Sequence, residues 1–271
     1  MKKNKITMPL NDGHSGDTFR ELVKLWHENK LIDLELKDVH NCWMNGVNNI
    51  LLYDQPTLEW FKPQRDLYNF ALFGNIVPSF PSSSAWIFWG RRPRLMEKIK
   101  KNRKNWANRD IGSIFLGKIE NSVQLTKRTN EEWENEIDLF SMPIGGNYKY
   151  SQEEYLNLLC RSKFGLCLSG YGPKCNREIE LMCMGVVPII TPLVDLTYYS
   201  KLEENKHYIR VNSPREIKQK INDTSQYQWG EMSNNCIDWF EKNCSTEGSF
   251  NTTIEILQKK QQTLMHQKKN A

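Results

Sequence analysis

The stretch from Ser162 to Thr191 constrains this chain more than any other. Phe164 to Leu168 is apolar and short, as buried parallel strands are. The turn Ser169-Gly170-Tyr171-Gly172-Pro173 follows, then a helical segment from Asn176 to Met184. After Gly185 comes a second buried strand, Val186-Val187-Pro188-Ile189-Ile190. Strand, glycine turn, helix and strand make a parallel βαβ unit, and ligands of such units lie at the carboxyl ends of the strands. Gly170 and Gly172 permit close backbone approach, and the helix N-terminus offers free N–H groups at a positive dipole end. A diphosphate suits that place. Arg177 in the first turn adds a fixed cation with forked donors. Glu180, three residues on, shares its helical face and could accept both hydroxyls of a ribose. The competing reading of Arg177 and Glu180 is an exposed ion pair of little energetic worth.

The rest of the chain alternates in the same way. Strand expectations are Lys5 to Leu10, Asn49 to Tyr53, Phe70 to Val77, Ala85 to Trp89, Ser113 to Lys118, Ile137 to Met142 and Tyr208 to Val211. Phe19, Leu22, Val23 and Trp26 give Thr18 to Glu28 a helical period, with Asp17 as its N-cap. Pro93 to Lys104 reads as a surface helix, and Glu131 to Glu136 as a short one. Ser151-Gln152-Glu153-Glu154 is a capping box opening a helix to about Arg161. Ser213-Pro214-Arg215-Glu216 opens another, and the tail from Trp229 is helical. Strands alternating with helices predict α/β architecture with parallel sheets. The pattern changes near residues 105–111, which predicts domains at 1–108 and 109–245 and a helical tail at 246–271.

At 271 residues the chain can build two cores. No apolar run approaches the roughly 20 residues of a membrane span, and the basic N-terminus lacks an apolar signal core. The seven cysteines are scattered without a CxxC pair, which disfavours a zinc ribbon or a redox dithiol. A reducing, cytoplasmic location is the expectation, and the Asn-x-Ser/Thr triplets at Asn222, Asn243 and Asn251 are read as chance. The net charge of +5 includes a basic cluster from Arg91 to Arg109. It is read either as the solvated face of a helix or as a phosphate-neutralising patch for nucleic acid. Neither an RNA-recognition motif nor a helix-turn-helix accompanies it, so no nucleic-acid partner is expected.

Ser162-Lys163-Phe164, Ser169-Gly170, Arg177-x-x-Glu180, Gly185 and Val187-Pro188 stand in the order found in the donor-binding core of exostosin-like glycosyltransferases, and the chain resembles that family. The likeness extends weakly upstream through Phe115-Leu116-Gly117-Lys118 and Lys127-Arg128, and downstream to about Ile221. It departs at Val186, where the family often has Cys. The resemblance implies a GT-B fold, in which two Rossmann-like domains with parallel sheets face each other across a cleft. It implies an inverting, metal-independent transfer of a sugar from a nucleotide diphosphate sugar, a UDP- or GDP-sugar, to an oligosaccharide or glycoprotein glycan, with no cofactor. In that frame Arg177 and the Gly117-Lys118 loop hold the diphosphate, Glu180 holds the ribose, and Ser169, Gly170 and Tyr171 border the donor. Arg128, with Lys127, is a further phosphate candidate.

Inverting transfer needs a general base for the acceptor hydroxyl. The loop Asp12-Gly13-His14-Ser15-Gly16-Asp17 follows the first strand, and its density of titratable side chains makes Asp12 and His14 the expected bases. Asp54, after the strand at Asn49 to Tyr53, is the reserve. The competing reading is a turn with an N-cap. No Asp-x-Asp occurs; Glu136-Ile137-Asp138 is the nearest approach to that metal-binding motif. A noncatalytic nucleotide- or glycan-binding protein of the same fold is the alternative function. Trp26, Trp43, Trp60, Trp86 and Trp89 could stack on sugar rings in either case, though core packing is the commoner use of Trp.

Overall fold

The structure is a computed structural model that describes residues 4–10, 19–39, 41–45, 50–54, 70–80, 82–146 and 148–269. The chain divides into two compact units, one of residues 1–88 with 241–271 and one of residues 89–240. The division falls earlier than the 108/109 boundary expected from sequence, and the C-terminal tail joins the N-terminal unit. Both differences have packing causes. The helix Pro93–Ile99 lies against the helix Gln152–Cys160. In the N-terminal unit, the indoles of Trp26 and Trp86 donate to Ser249 Oγ and Thr253 Oγ1, each at 2.8 Å, so the final helix completes that core.

The N-terminal unit is built on a six-stranded sheet. Its strands are β1 (Asn4–Pro9), β2 (Ile32–Lys37), β3 (Cys42–Asn45), β4 (Ile50–Tyr53), β5 (Phe70–Phe73) and β6 (Ser83–Ala85), in the order β2-β1-β3-β4-β5-β6. Strand β3 runs antiparallel to both β1 and β4, so this sheet is mixed rather than parallel as expected. Ile32-Asp-Leu-Glu-Leu-Lys alternates apolar with charged residues, as an edge strand with one wet face does; a criterion tuned to continuous apolar runs passes over it. Helix α1 (Arg20–Glu28) buries Leu22, Val23 and Trp26, as anticipated from its period, and Leu25 beside them. The expected cap Asp17 lies outside the described residues.

The second unit carries a five-stranded, wholly parallel sheet: β7 (Ile111–Leu116), β8 (Leu139–Ser141), β9 (Ser162–Cys167), β10 (Val187–Ile190) and β11 (Ile209–Arg210). In order of appearance the strands stand 2-1-3-4-5 across the sheet. That is a doubly wound arrangement, whose winding reverses between its first and third strands, here β7 and β9. Helices α2 (Pro93–Ile99), α3 (Ser122–Arg128), α4 (Gln152–Cys160), α5 (Asn176–Cys183), α6 (Glu216–Asp223) and α7 (Gln226–Asn243) belong to it, the last running on past residue 240. Phe164, Leu166, Val187 and Ile189 join Ile217, Trp229 and Met232 in one buried core. The Ser151–Glu154 capping box forms as read, with Ser151 Oγ accepting from Glu154 N and the carboxylate accepting from Ser151 N.

Candidate functional site

The carboxyl ends of β7 and β9 are followed by two loops that meet through arginine side chains. Arg177 stands in the first turn of α5, the helix that Cys175 and Glu178 cap: Cys175 N donates to Glu178 Oε2 at 2.6 Å. Its guanidinium lies over the Phe115 ring at 4.2 Å and donates through Nη2 to the Leu116 carbonyl at 2.9 Å. Arg128, at the end of α3 and 5% exposed, donates from Nε to the Ser169 carbonyl and from Nη1 to the Lys118 carbonyl. One arginine thus reaches from the β9 side to the β7 loop, and the other from the β7 side to the β9 loop.

Two glycines make room for this exchange. A Cβ on Gly117 would meet Arg177 Nη2 at 2.8 Å, and one on Gly170 would meet Cys175 Sγ at 2.8 Å and Arg128 Nη2 at 3.4 Å. The close approach that Gly170 was expected to offer a ligand is therefore made first to the chain's own Cys175 and Arg128. Hydrogen bonds to carbonyls use only part of Arg177. Its Nε and Nη1, the Ser169 hydroxyl and Glu178 Oε1 are buried atoms without a protein partner, all on the turn after β9 and the first turn of α5.

Electrostatics around the pair are tight. Burial lowers the Arg128 pKa, and the neighbouring Arg177 charge lowers it further. For Arg177 burial also opposes the charge, but Tyr155, Cys175, Cys167 and Glu178 outweigh it and the net direction is up. Burial pushes the Glu178 carboxyl up to about 7, against the lowering effect of the Cys175 N–H and of Arg177. It pushes the Cys175 thiol up to about 12, which makes that cysteine a poor nucleophile despite two nearby cations.

Glu180 is only 4% exposed, so it is no half of a solvent-facing pair. Its Oε1 accepts from the Arg91 backbone N–H and from Gln152 Nε2, both at 3.0 Å. Burial raises its pKa, with the Arg91 N–H and Arg177 opposing. Tyr155 and Tyr148 feel the same charges; burial pushes the Tyr148 hydroxyl up to about 12. Tyr148 and Tyr155 went unremarked in the sequence, since neither carries a motif, and Arg91 was read only as part of the basic cluster. Gln152 had one signal: it is the second residue of the capping box, on the helix preceding β9.

Of the expected donor residues, Gly117, Lys118, Arg128, Ser169, Gly170 and Arg177 come together in this cluster. Tyr171 projects from the turn, 64% exposed, with its carbonyl accepting from Lys127 Nζ at 3.3 Å. Asp54 directly follows β4 in the N-terminal unit, where its main-chain carbonyl accepts from Asn75 N. Asp12 and His14 lie outside the described residues. Among the described residues no three His, Cys, Asp or Glu converge as metal ligands. No helix there is long and apolar enough to cross a membrane.

Much of the basic cluster from Arg91 to Arg109 is engaged within the fold. Arg109, 3% exposed, donates to the carbonyls of Lys104, Leu159, Ser162 and Met184. Arg103 Nε donates to the Cys183 carbonyl at 2.6 Å, Lys100 pairs with Glu97 at 2.7 Å, and Lys98 with Glu153 at 3.5 Å. Arg109 in particular is buried too deeply to neutralise a phosphate backbone. Comparison of the chain with known protein families and with characterised proteins finds no match.

Proposed function

We propose that the chain is an inverting glycosyltransferase of the GT-B type that binds a nucleotide diphosphate sugar at the carboxyl ends of β7 and β9. The observation that carries the proposal is the meeting of Arg177 and Arg128 there, with Arg177 Nε and Nη1 unpartnered. The point where a doubly wound sheet reverses is where its crevice opens. Two guanidinium groups fixed by carbonyls supply oriented positive charge for a diphosphate, and the buried Arg177 Nε and Nη1 must be uncovered to receive one. Serving the leaving group, they stabilise the charge that develops as the bond from the anomeric carbon to the diphosphate oxygen breaks. The acceptor hydroxyl oxygen forms the new bond to that carbon and gives up its proton to a base, for which Asp12, His14 and Asp54 of the N-terminal unit are the candidates. Glu180 in this reading offers the ribose only the oxygen that Arg91 and Gln152 leave aside.

The test is titration of the whole chain with UDP, GDP and their sugars by calorimetry, followed by a hydrolysis and transfer assay. Arg177→Lys keeps the charge and loses the fork, so the Kd for the preferred nucleotide diphosphate is expected to rise at least tenfold, about 1.4 kcal/mol, at a temperature where the variant's own melting curve shows it folded. Equal affinity in a folded Arg177→Lys variant sinks the site. Binding without any turnover assigns the chain to the noncatalytic alternative.

A further inference from the structure

Tyr155 carries a buried hydroxyl that no group of the protein receives. It lies on α4, one turn after Gln152, and is only 6% exposed. Leu156, Leu159 and Cys160 of the same helix are buried with it, so its ring serves the packing of α4. Phenylalanine would serve that packing as well. A buried tyrosine hydroxyl normally finds a partner, and one left without costs the fold stability.

The surroundings of this hydroxyl are polar. Burial raises the Tyr155 pKa well above its ordinary value, with Glu180 adding to the rise and Arg177 opposing it, so both charges of α5 reach the group. It therefore keeps its proton and stays a donor. Burial also raises the Glu180 pKa, and Tyr155 is among the groups that oppose that rise, yet no hydrogen bond closes between the two side chains. Glu180 spends Oε1 on the Arg91 N–H and on Gln152 Nε2, which leaves its other oxygen as an acceptor. A donor and an acceptor thus stand near one another without bonding directly. A hydroxyl placed between them accepts from the first and donates to the second.

We infer that Tyr155 is a further binding residue of the Arg177 site, its hydroxyl donating to a ribose hydroxyl of the nucleotide diphosphate while Glu180 accepts from that same group. This rests on the nucleotide-diphosphate reading of the site. Like the Arg177 donors, Tyr155 and Glu180 are buried and are reached once the site opens. The tyrosine then exchanges an unmet donor for a bond made only with ligand, so it favours binding at the expense of the unliganded fold. It also sets specificity, because an analogue lacking that hydroxyl leaves the Tyr155 donor unmet.

The experiment is calorimetric titration of the whole chain, of Tyr155→Phe and of Arg177→Lys. The ligands are UDP, GDP, their 2′-deoxy and 3′-deoxy forms, and inorganic pyrophosphate. Tyr155→Phe removes one buried oxygen and no packing, so its Tm is expected to equal or exceed that of the wild type. Its Kd for the preferred ribonucleotide is expected to rise at least threefold. Its Kd for pyrophosphate and for one of the two deoxy forms is expected to stay at the wild-type value, since the coupling needs both hydroxyls. A ribonucleotide Kd unchanged in Tyr155→Phe, or raised equally for pyrophosphate and both deoxy forms, overturns the inference. A lowered Tm with unchanged Kd also overturns it, by assigning the hydroxyl to the fold through a bridging water. Arg177→Lys separates this from failure of the site. If it weakens every ligand while Tyr155→Phe weakens none, only the tyrosine contact is wrong; if nothing binds, or neither variant alters binding, site and contact fall together.

Discussion

Arginine 177 shows how one side chain can be held by the fold and still keep buried donors unused. Stacking on Phe115 and the bond to the Leu116 carbonyl fix its plane, and the remaining N–H groups are left over. Its neighbour Glu178 has the opposite position: a buried carboxyl with one oxygen on the Cys175 N–H and one without a partner. Burial moves that carboxyl from 4.5 to about 7 in the folded chain. A raised carboxyl pKa favours folding while the group is protonated, so this contribution is complete below about pH 4.5 and lost as pH rises through about 7. At about 1.4 kcal/mol per pH unit the loss is on the order of 3 kcal/mol. Glu178→Gln removes the titration while keeping a capping side chain. Chemical denaturation from pH 4.5 to 8 is expected to show a flatter stability profile for the variant than for the wild type. Glu180, raised by burial in the same direction, leaves part of the slope in both. Parallel profiles would show that Glu178 titrates as an ordinary carboxyl.

Among the elements, α5 and its ends carry the most information. Gly185 takes φ +67° just past its C-terminus; its N–H donates to the Met182 carbonyl, and the Val186 N–H to the Leu181 carbonyl. This is a Schellman close, and it turns the chain directly into β10. A Cβ there would also press on Ile237 Cδ1 at 2.9 Å and Ser233 Oγ at 3.0 Å. Gly185→Ala is therefore expected to destabilise by roughly 1–2 kcal/mol from backbone strain alone, read as a lowered urea midpoint at unchanged slope. Wild-type stability in this variant would mean that the helix ends elsewhere. The close was legible because a glycine between an apolar helix and an apolar strand has few other uses. The bonds that α5 makes sideways, Asn176 Nδ2 to the Trp89 carbonyl and Glu180 to Arg91 and Gln152, had no local signal.

For the whole molecule, the main lesson is that the N-terminal unit is discontinuous. Helix α8 (Thr246–Lys269) supplies Ser249 and Thr253 to the buried indoles of Trp26 and Trp86, and Phe250 packs edge-on to Trp26 at 5.7 Å. Removing residues 246–271 strands two buried indole N–H groups, at about 1–3 kcal/mol each, beyond the lost apolar contact. Limited proteolysis of that truncated chain is expected to digest residues 1–88 and to spare residues 89–240. Equal protection of both units would show that the N-terminal unit has its core without the helix.

The sequence by itself determined the strands of the C-terminal sheet and the glycine turn at the carboxyl end of β9. Apolar runs, a capping box and a helix-closing glycine are local signals, and parallel strands covered on both faces are written as such runs. Tertiary structure decided which distant residues share a site. Arg128 and Arg177 are 49 positions apart and come within reach of the same loops only because β7 and β9 lie side by side in the sheet. Glu180, read from sequence either as a ribose acceptor or as half of an exposed ion pair, is buried and accepts from a backbone N–H 89 positions away. The reversed strand β3 and the return of the last helix to the first unit were equally hidden, because pairing and burial depend on neighbours that no sequence window contains.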